Sequence, residues 1–172
     1  MLLSLVGSVQ EHVAEAEGLA SAAVSQLQKP PSSLQKFMLD SGSQINLLTL
    51  ETAREFFIEQ RVSNLRVLGV SGASKVADLA GHLIILVQAP DGTEHHLDLG
   101  VAHGMSGCPM NLLSVSLLIK MGAVLHFEEG NCFFRTNASA DPIPLHQKDG
   151  MFELFATRGD LVPEMSSRHG RS

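Results

Sequence analysis

From Leu34 onward the chain is a succession of short apolar runs punctuated by glycine-bearing turns, a pattern that fits strands joined by hairpins better than long helices. "LQKFMLD" (34–40) and "INLLTL" (45–50) read as two strands, and "LRVLGV" (65–70) as a third. "SGAS" (71–74) is a tight turn, and "KVADLAGHLIILVQA" (75–89) an extended return. Asp91-Gly92 is a two-residue hairpin signal, answered by the strand "HHLDLGVA" (95–102). "AVLHFEEGNCFFRT" (123–136) predicts a hairpin turned at Glu129-Gly130-Asn131, and "IPLHQKDGMFELFA" (143–156) another around Asp149-Gly150. From Leu34 onward only two stretches carry helical signals. Thr49 can cap a helix over "LETAREFFIEQ" (50–60), with Leu50, Ala53, Phe56 and Phe57 on one face. "MNLLSVSLLIKMG" (110–122) reads as a helix from Asn111 to Met121, stopped by Gly122. The fold class expected is mainly β, a closed barrel with one or two short helices.

Charge narrows the function classes. The net charge is −6 and no run of Lys or Arg stands out, so a basic face for nucleic acid is not expected. Cys108 and Cys132 are the only cysteines, too few for a stapled secreted scaffold, and they read as reduced thiols of a cytoplasmic protein. "MLLSLVGSV" lacks a basic flank and is too short to span a membrane, so no membrane association is expected. Residues 1–34 read as a marginal helix and linker, with Val9, Val13, Ala16 and Leu19 at helical spacing before "KPPSS" breaks it. The division expected is that segment, a main domain over 35–136, a C-terminal hairpin over 137–160 and a disordered tail over 161–172.

One acid stands out against this background. Asp40 ends an apolar run, precedes Ser41-Gly42-Ser43, and is followed at once by a second apolar run. A strand ending in a polar turn would account for it. So would half of an acid-protease site, in which two carboxylates lie close enough to share one proton, so that one serves as base and the other as acid. In that setting Gly42 permits close approach of two backbones, Ser41 can bond across to a partner loop, and Ser43 can steady the outer carboxylate oxygen. The tripeptide alone recurs by chance in roughly one chain of this size in twenty or thirty. Its apolar flanks strengthen it.

"MLDSGSQINLL" resembles the active-site strand and loop of retropepsin-like aspartic proteases. "NLLSVSLLIKMGAVLHFEEGNCFF" followed by "DGMFELF" is similar to the polyprotein of copia-type retrotransposons, where the protease ends in such a helix and a Gly-Leu-Tyr-x-Leu-like segment opens the pre-integrase region. The likeness covers about residues 35 to 155. "LDSGSQINLLTLETAREF" also resembles the retropepsin-like domain of DNA-damage-inducible ubiquitin-shuttle proteases. The resemblance implies an aspartic endopeptidase with Asp40 as catalytic acid and Ser41, Gly42 and Ser43 completing the loop. It implies a substrate-covering flap at Gly69, Val70, Ser71, Gly72 and Ala73, a homodimer contributing one acid per chain, an extended peptide or polyprotein substrate, and no cofactor. No second Asp-Ser/Thr-Gly exists in the chain, in keeping with one acid per subunit. The alternative is an inactive remnant of that fold, serving as a dimerisation or peptide-binding module.

Other constellations carry less. His95 and His96 are adjacent and in a strand point to opposite faces, and no Cys-x-x-Cys or His-x-x-x-His pair exists, so no metal is expected. A thiol pair of Cys108 with His103 is disfavoured because nothing marks a depressed thiol pKa. "GVSGAS" lacks the Lys-Ser/Thr ending of a phosphate loop.

Overall fold

The computed structural model describes residues 33–69 and 71–161. The helix and linker expected before Ser33, the tail expected after Leu161, and Val70 lie outside those residues. The described chain is mainly β, with a closed six-stranded barrel and two short helices, as expected.

The ring of the barrel runs β13 (Met151–Arg158), β1 (Gln35–Asp40), β8 (Asn111–Ser114), β2 (Leu47–Thr49), β7 (Glu94–Met105) and β6 (Leu79–Gln88). It closes where Ala156, Thr157 and Arg158 of β13 pair with Val87, Leu86 and Ile85 of β6. Closure removes the open edges that a flat sheet of these strands would present. Phe37, Leu48, Leu83, Ile85, Leu113 and Leu154 fill the interior, and the Phe37 and Phe56 rings meet at 5.8 Å. Outside the ring lie β3 (Ile58–Val62) beside β6 and β12 (His146–Lys148) beside β13. Two smaller sheets complete the fold: β4 (Arg66–Leu68) with β5 (Ser74–Val76), and β9 (Val124–His126), β10 (Phe133–Arg135) and β11 (Ile143–Pro144).

Most neighbours are antiparallel, but β2 runs parallel to β7 and β1 parallel to β8, with Phe37 opposite Asn111 and Asp40 opposite Ser114. This corrects the late helix. The expected start at Asn111 is a strand, and the helix α2 spans Val115–Lys120, with Ser114 as its N-cap. The cause is a long-range fit. Asn111 accepts the Thr49 N–H (3.0 Å) and donates to the Lys36 carbonyl (3.0 Å), so residues 111–114 are stitched between β1 and β2 before the helix can begin.

The first helix, α1 (Leu50–Phe56), is capped by the Thr49 hydroxyl as anticipated but stops short of Gln60. Phe57 is extended and buried, and the chain continues as β3. Two glycines let α1 and its exit lie close on the barrel. A Cβ on Gly104 would meet the Ala53 Cβ at 2.3 Å, and one on Gly81 the Phe57 Cβ at 2.6 Å.

The Asp149-Gly150 hairpin forms as read, with φ of 52° and 76° at the two residues and Lys148 opposite Met151. The loop at Asp91-Gly92 is longer than two residues. Gln88 pairs with Glu94, and the loop is closed by Ala89 N–H to the Thr93 carbonyl at 2.9 Å, with Asp91 accepting from Thr93 N–H. The boundary drawn after residue 136 also needs correction. The hairpin over 137–160 supplies β13, whose Leu154 and Ala156 are core residues and whose strand lies between β1 and β6. The division cuts through the barrel, because an apolar strand with one turn signal looks the same whether it closes a core or hangs beside it.

Candidate active site

Parallel pairing brings Asp40 and Ser114 side by side at the ends of β1 and β8. The loop leaving Asp40 is held by groups from the second of these strands. Ser114 donates its hydroxyl to the Ser43 carbonyl (2.6 Å), and its N–H donates to Asn46 Oδ1 (2.8 Å). The same hydroxyl accepts the Leu117 N–H (3.3 Å), so one side chain caps α2 and pins the loop. Asn46 is 1% exposed, and its carbonyl accepts the His103 N–H from β7 (3.0 Å). The carboxylate of Asp40, half-buried, accepts the Gly42 N–H at 2.8 Å. A Cβ at Gly42 would stand 3.3 Å from that oxygen, so the glycine keeps the carboxylate uncrowded.

Ser43 does not steady Asp40. Its hydroxyl donates to the Ile45 carbonyl (2.6 Å), closing the loop on itself, and the Asp40 carboxylate accepts from the backbone N–H of Gly42 instead. Ser41 and Gly42 are exposed, open to whatever approaches the end of the barrel. Asn46 and Ser114 were not among the expected site residues. The signal was present in a weak form: a polar residue inside each of the apolar runs "INLL" and "NLLSV".

Replacing Ser114 with alanine removes a helix cap and leaves the Ser43 carbonyl without its donor. The expected loss of stability is about 2 kcal/mol, measured as a lower urea midpoint at unchanged slope. An unchanged midpoint would show that solvent replaces both bonds.

The turn expected as a flap joins β4 to β5, and its described residues Gly69, Ser71, Gly72 and Ala73 are all exposed. Gly69 N–H donates to the Ala73 carbonyl and Gly72 N–H to the Gly69 carbonyl, and Gly72 has φ of 81°. The hairpin is tied to the loop after β7 rather than to the Asp40 loop: Lys75 Nζ donates to Ser106. That loop walls a groove of about 750 Å3, whose floor is the outer face of β1 and whose far side is α1. Lys36 and Met38 line it, on the face of β1 that Asp40 shares by strand alternation. The site thus has one carboxylate at a strand end, a groove beside its strand, and a hairpin fastened to the groove wall.

No protein-family model and no curated protein matches the chain.

Several other titratable groups have partners away from the Asp40 loop. Cys108 and Cys132 are free thiols; burial pushes the Cys108 thiol up, and its Sγ contacts the Met110 carbonyl at 3.1 Å. His103 faces the Ser63 hydroxyl at 3.0 Å, and burial, with Arg61 nearby, holds its pKa below the usual histidine value. Cys108 and His103 therefore do not form a pair. His82 bonds Asp98 across β6 and β7, while Glu153 is buried between Lys36 (3.5 Å) and His146 (2.6 Å). Among the described residues no group of three His, Cys, Asp or Glu side chains could hold a metal ion, and no helix is long and apolar enough to cross a membrane.

Proposed function

We propose that the chain is a retropepsin-like aspartic endopeptidase of the copia-retrotransposon kind, active as a homodimer on an extended peptide or polyprotein. The observation that carries the reading is Asp40: a carboxylate at the end of a barrel strand, in a Ser-Gly-Ser loop braced by Ser114 and Asn46, with the Gly42 N–H on its Oδ1. Two such loops facing each other would place two carboxylates around one water. The ionised carboxylate removes a proton from the water, which attacks the scissile carbonyl. The protonated carboxyl donates to the carbonyl oxygen, and the leaving amine takes a proton as the C–N bond breaks.

The dimer is supported by an apolar strip. Ile119 and Met121 are 57% and 46% exposed, and Val124 and Phe127 are 41% and 48% exposed. Ile119 lies in α2, Met121 caps its end, Val124 lies in β9 and Phe127 follows it, and α2 is capped by the serine that pins the Asp40 loop. Among the described residues β9 is also an edge strand, paired only with β10, so its outer backbone groups can pair with the same strand of a second copy. Val124→Asp places a charge on that strip. The expected result is a dimer dissociation constant raised at least about a hundredfold in sedimentation velocity, with the barrel intact by circular dichroism. An unchanged dimer would move the interface elsewhere.

The direct test is peptide-library cleavage between about pH 4 and 7. Cleavage by the wild type that is blocked by a statine-type inhibitor and lost in Asp40→Asn establishes the endopeptidase. A folded wild-type dimer that cuts nothing favours the binding-module alternative.

A further inference from the structure

The β4–β5 hairpin forms a sheet of its own and is rooted at its base. Ala77 N–H donates to the Leu65 carbonyl (2.9 Å), and Asp78 N–H donates to the Gly104 carbonyl (2.9 Å). Among the described residues, one side chain beyond that root hydrogen-bonds from the hairpin to the barrel. Lys75, opposite Val67, donates to both the carbonyl (2.5 Å) and the hydroxyl (2.9 Å) of Ser106. The receiving turn is itself held. Ser106 N–H donates to Asp78 Oδ2 (2.7 Å), which holds that carboxyl below its usual range, and Cys108 N–H closes the turn on the Met105 carbonyl (3.2 Å). Ser106 and Gly107 belong to the wall of the 750 Å3 groove, together with Pro109 and Met110.

Strand alternation puts Lys75 and Val67 on the hairpin face turned to the barrel, while Leu68 and Val76, 71% and 42% exposed, occupy the other. Few side chains therefore hold the hairpin down beyond its root. We infer that Lys75 is a positioning residue, a latch that holds the β4–β5 hairpin against the wall of the groove and must release before the hairpin can lift. The inference rests on the reading of that hairpin as a flap. A lysine ammonium on a backbone carbonyl is a charge-assisted bond weakened by solvent, strong enough to bias the hairpin and weak enough to open during turnover.

Amide hydrogen exchange decides it. In Lys75→Met, which keeps chain length and removes the charge, amides of Arg66–Leu68 and Ser74–Val76 exchange about threefold to tenfold faster than in the wild type. Amides of Leu83–Val87 stay unchanged, and Lys75→Arg, which can still donate to the Ser106 carbonyl, stays near the wild type. On a cleaved peptide, Lys75→Met raises KM by a similar factor while kcat is kept. Equal exchange in wild type and Lys75→Met overturns the latch. So does faster exchange spread evenly over hairpin and barrel, which would mark a merely structural lysine. A wild type that cleaves nothing would remove the protease reading and leave the exchange comparison to decide the latch.

Discussion

Asp40→Asn is expected to leave the fold intact and to slow peptide cleavage at least about a thousandfold. Asparagine keeps the shape of the side chain and an oxygen for the Gly42 N–H, so the loop loses little. What disappears is the carboxylate that would activate the water. The variant also tests the dimer, because each chain carries one such acid. When a ninefold excess of Asp40→Asn chain is exchanged with wild type, random pairing puts most wild-type chains into mixed dimers. Activity then falls to about a tenth of that of the same wild-type chains alone. A single-chain enzyme would not respond to the added variant. Undiminished activity in the mixture would refute the shared dyad, and cleavage by pure Asp40→Asn would place the chemistry on another residue.

Features encoded within a few residues were legible in the sequence. Asp149-Gly150 announces its hairpin because the left-handed backbone of a tight turn is a local demand that those two residues meet. Thr49 announces α1 because a cap acts on the next turn of chain. The Asp40 loop was legible for the same reason: strand, acid and small residues are contiguous. Features that depend on distant partners were not. Asn111 belongs to a strand because it bonds Lys36 and Thr49, 75 and 62 residues away, and nothing in "MNLLSVSLLIKMG" distinguishes that from a helix start. Lys75 and Ser106 lie 31 residues apart, and their meeting leaves no periodic trace in either segment. Ser43, expected from the geometry of an acid-protease loop to steady the carboxylate, bonds its own loop, since adjacency in sequence does not set the direction of a side chain in a turn.

A chain ended at Thr136 is expected not to fold, although it keeps Asp40, both helices and the hairpin. It loses β11, β12 and β13, so β1 has no antiparallel neighbour and Ile85, Leu86 and Val87 face an open gap in the ring. Ile143, Leu145 and Leu154 leave the core with them. Removing a buried side chain of that size costs about 2–5 kcal/mol, so the three together reach the whole stability of an ordinary domain, about 5–15 kcal/mol. Lys36 also loses the buried Glu153 carboxylate, and breaking one side of a buried ion pair costs about 3–5 kcal/mol more. With no Trp or Tyr in the chain, far-ultraviolet circular dichroism during urea titration is the suitable readout. The expected result is no cooperative transition for the chain ended at Thr136. A chain ended at Asp160, which retains all of β13 and the Gly159 N–H bond to the Ile84 carbonyl, keeps a sharp one. A cooperative transition in the shorter chain would mean that 137–160 is an appendage and that the barrel closes without it. The contrast also bears on the site, because Asp40 stands at the end of β1, and β1 is held between β8 on one side and β13 on the other.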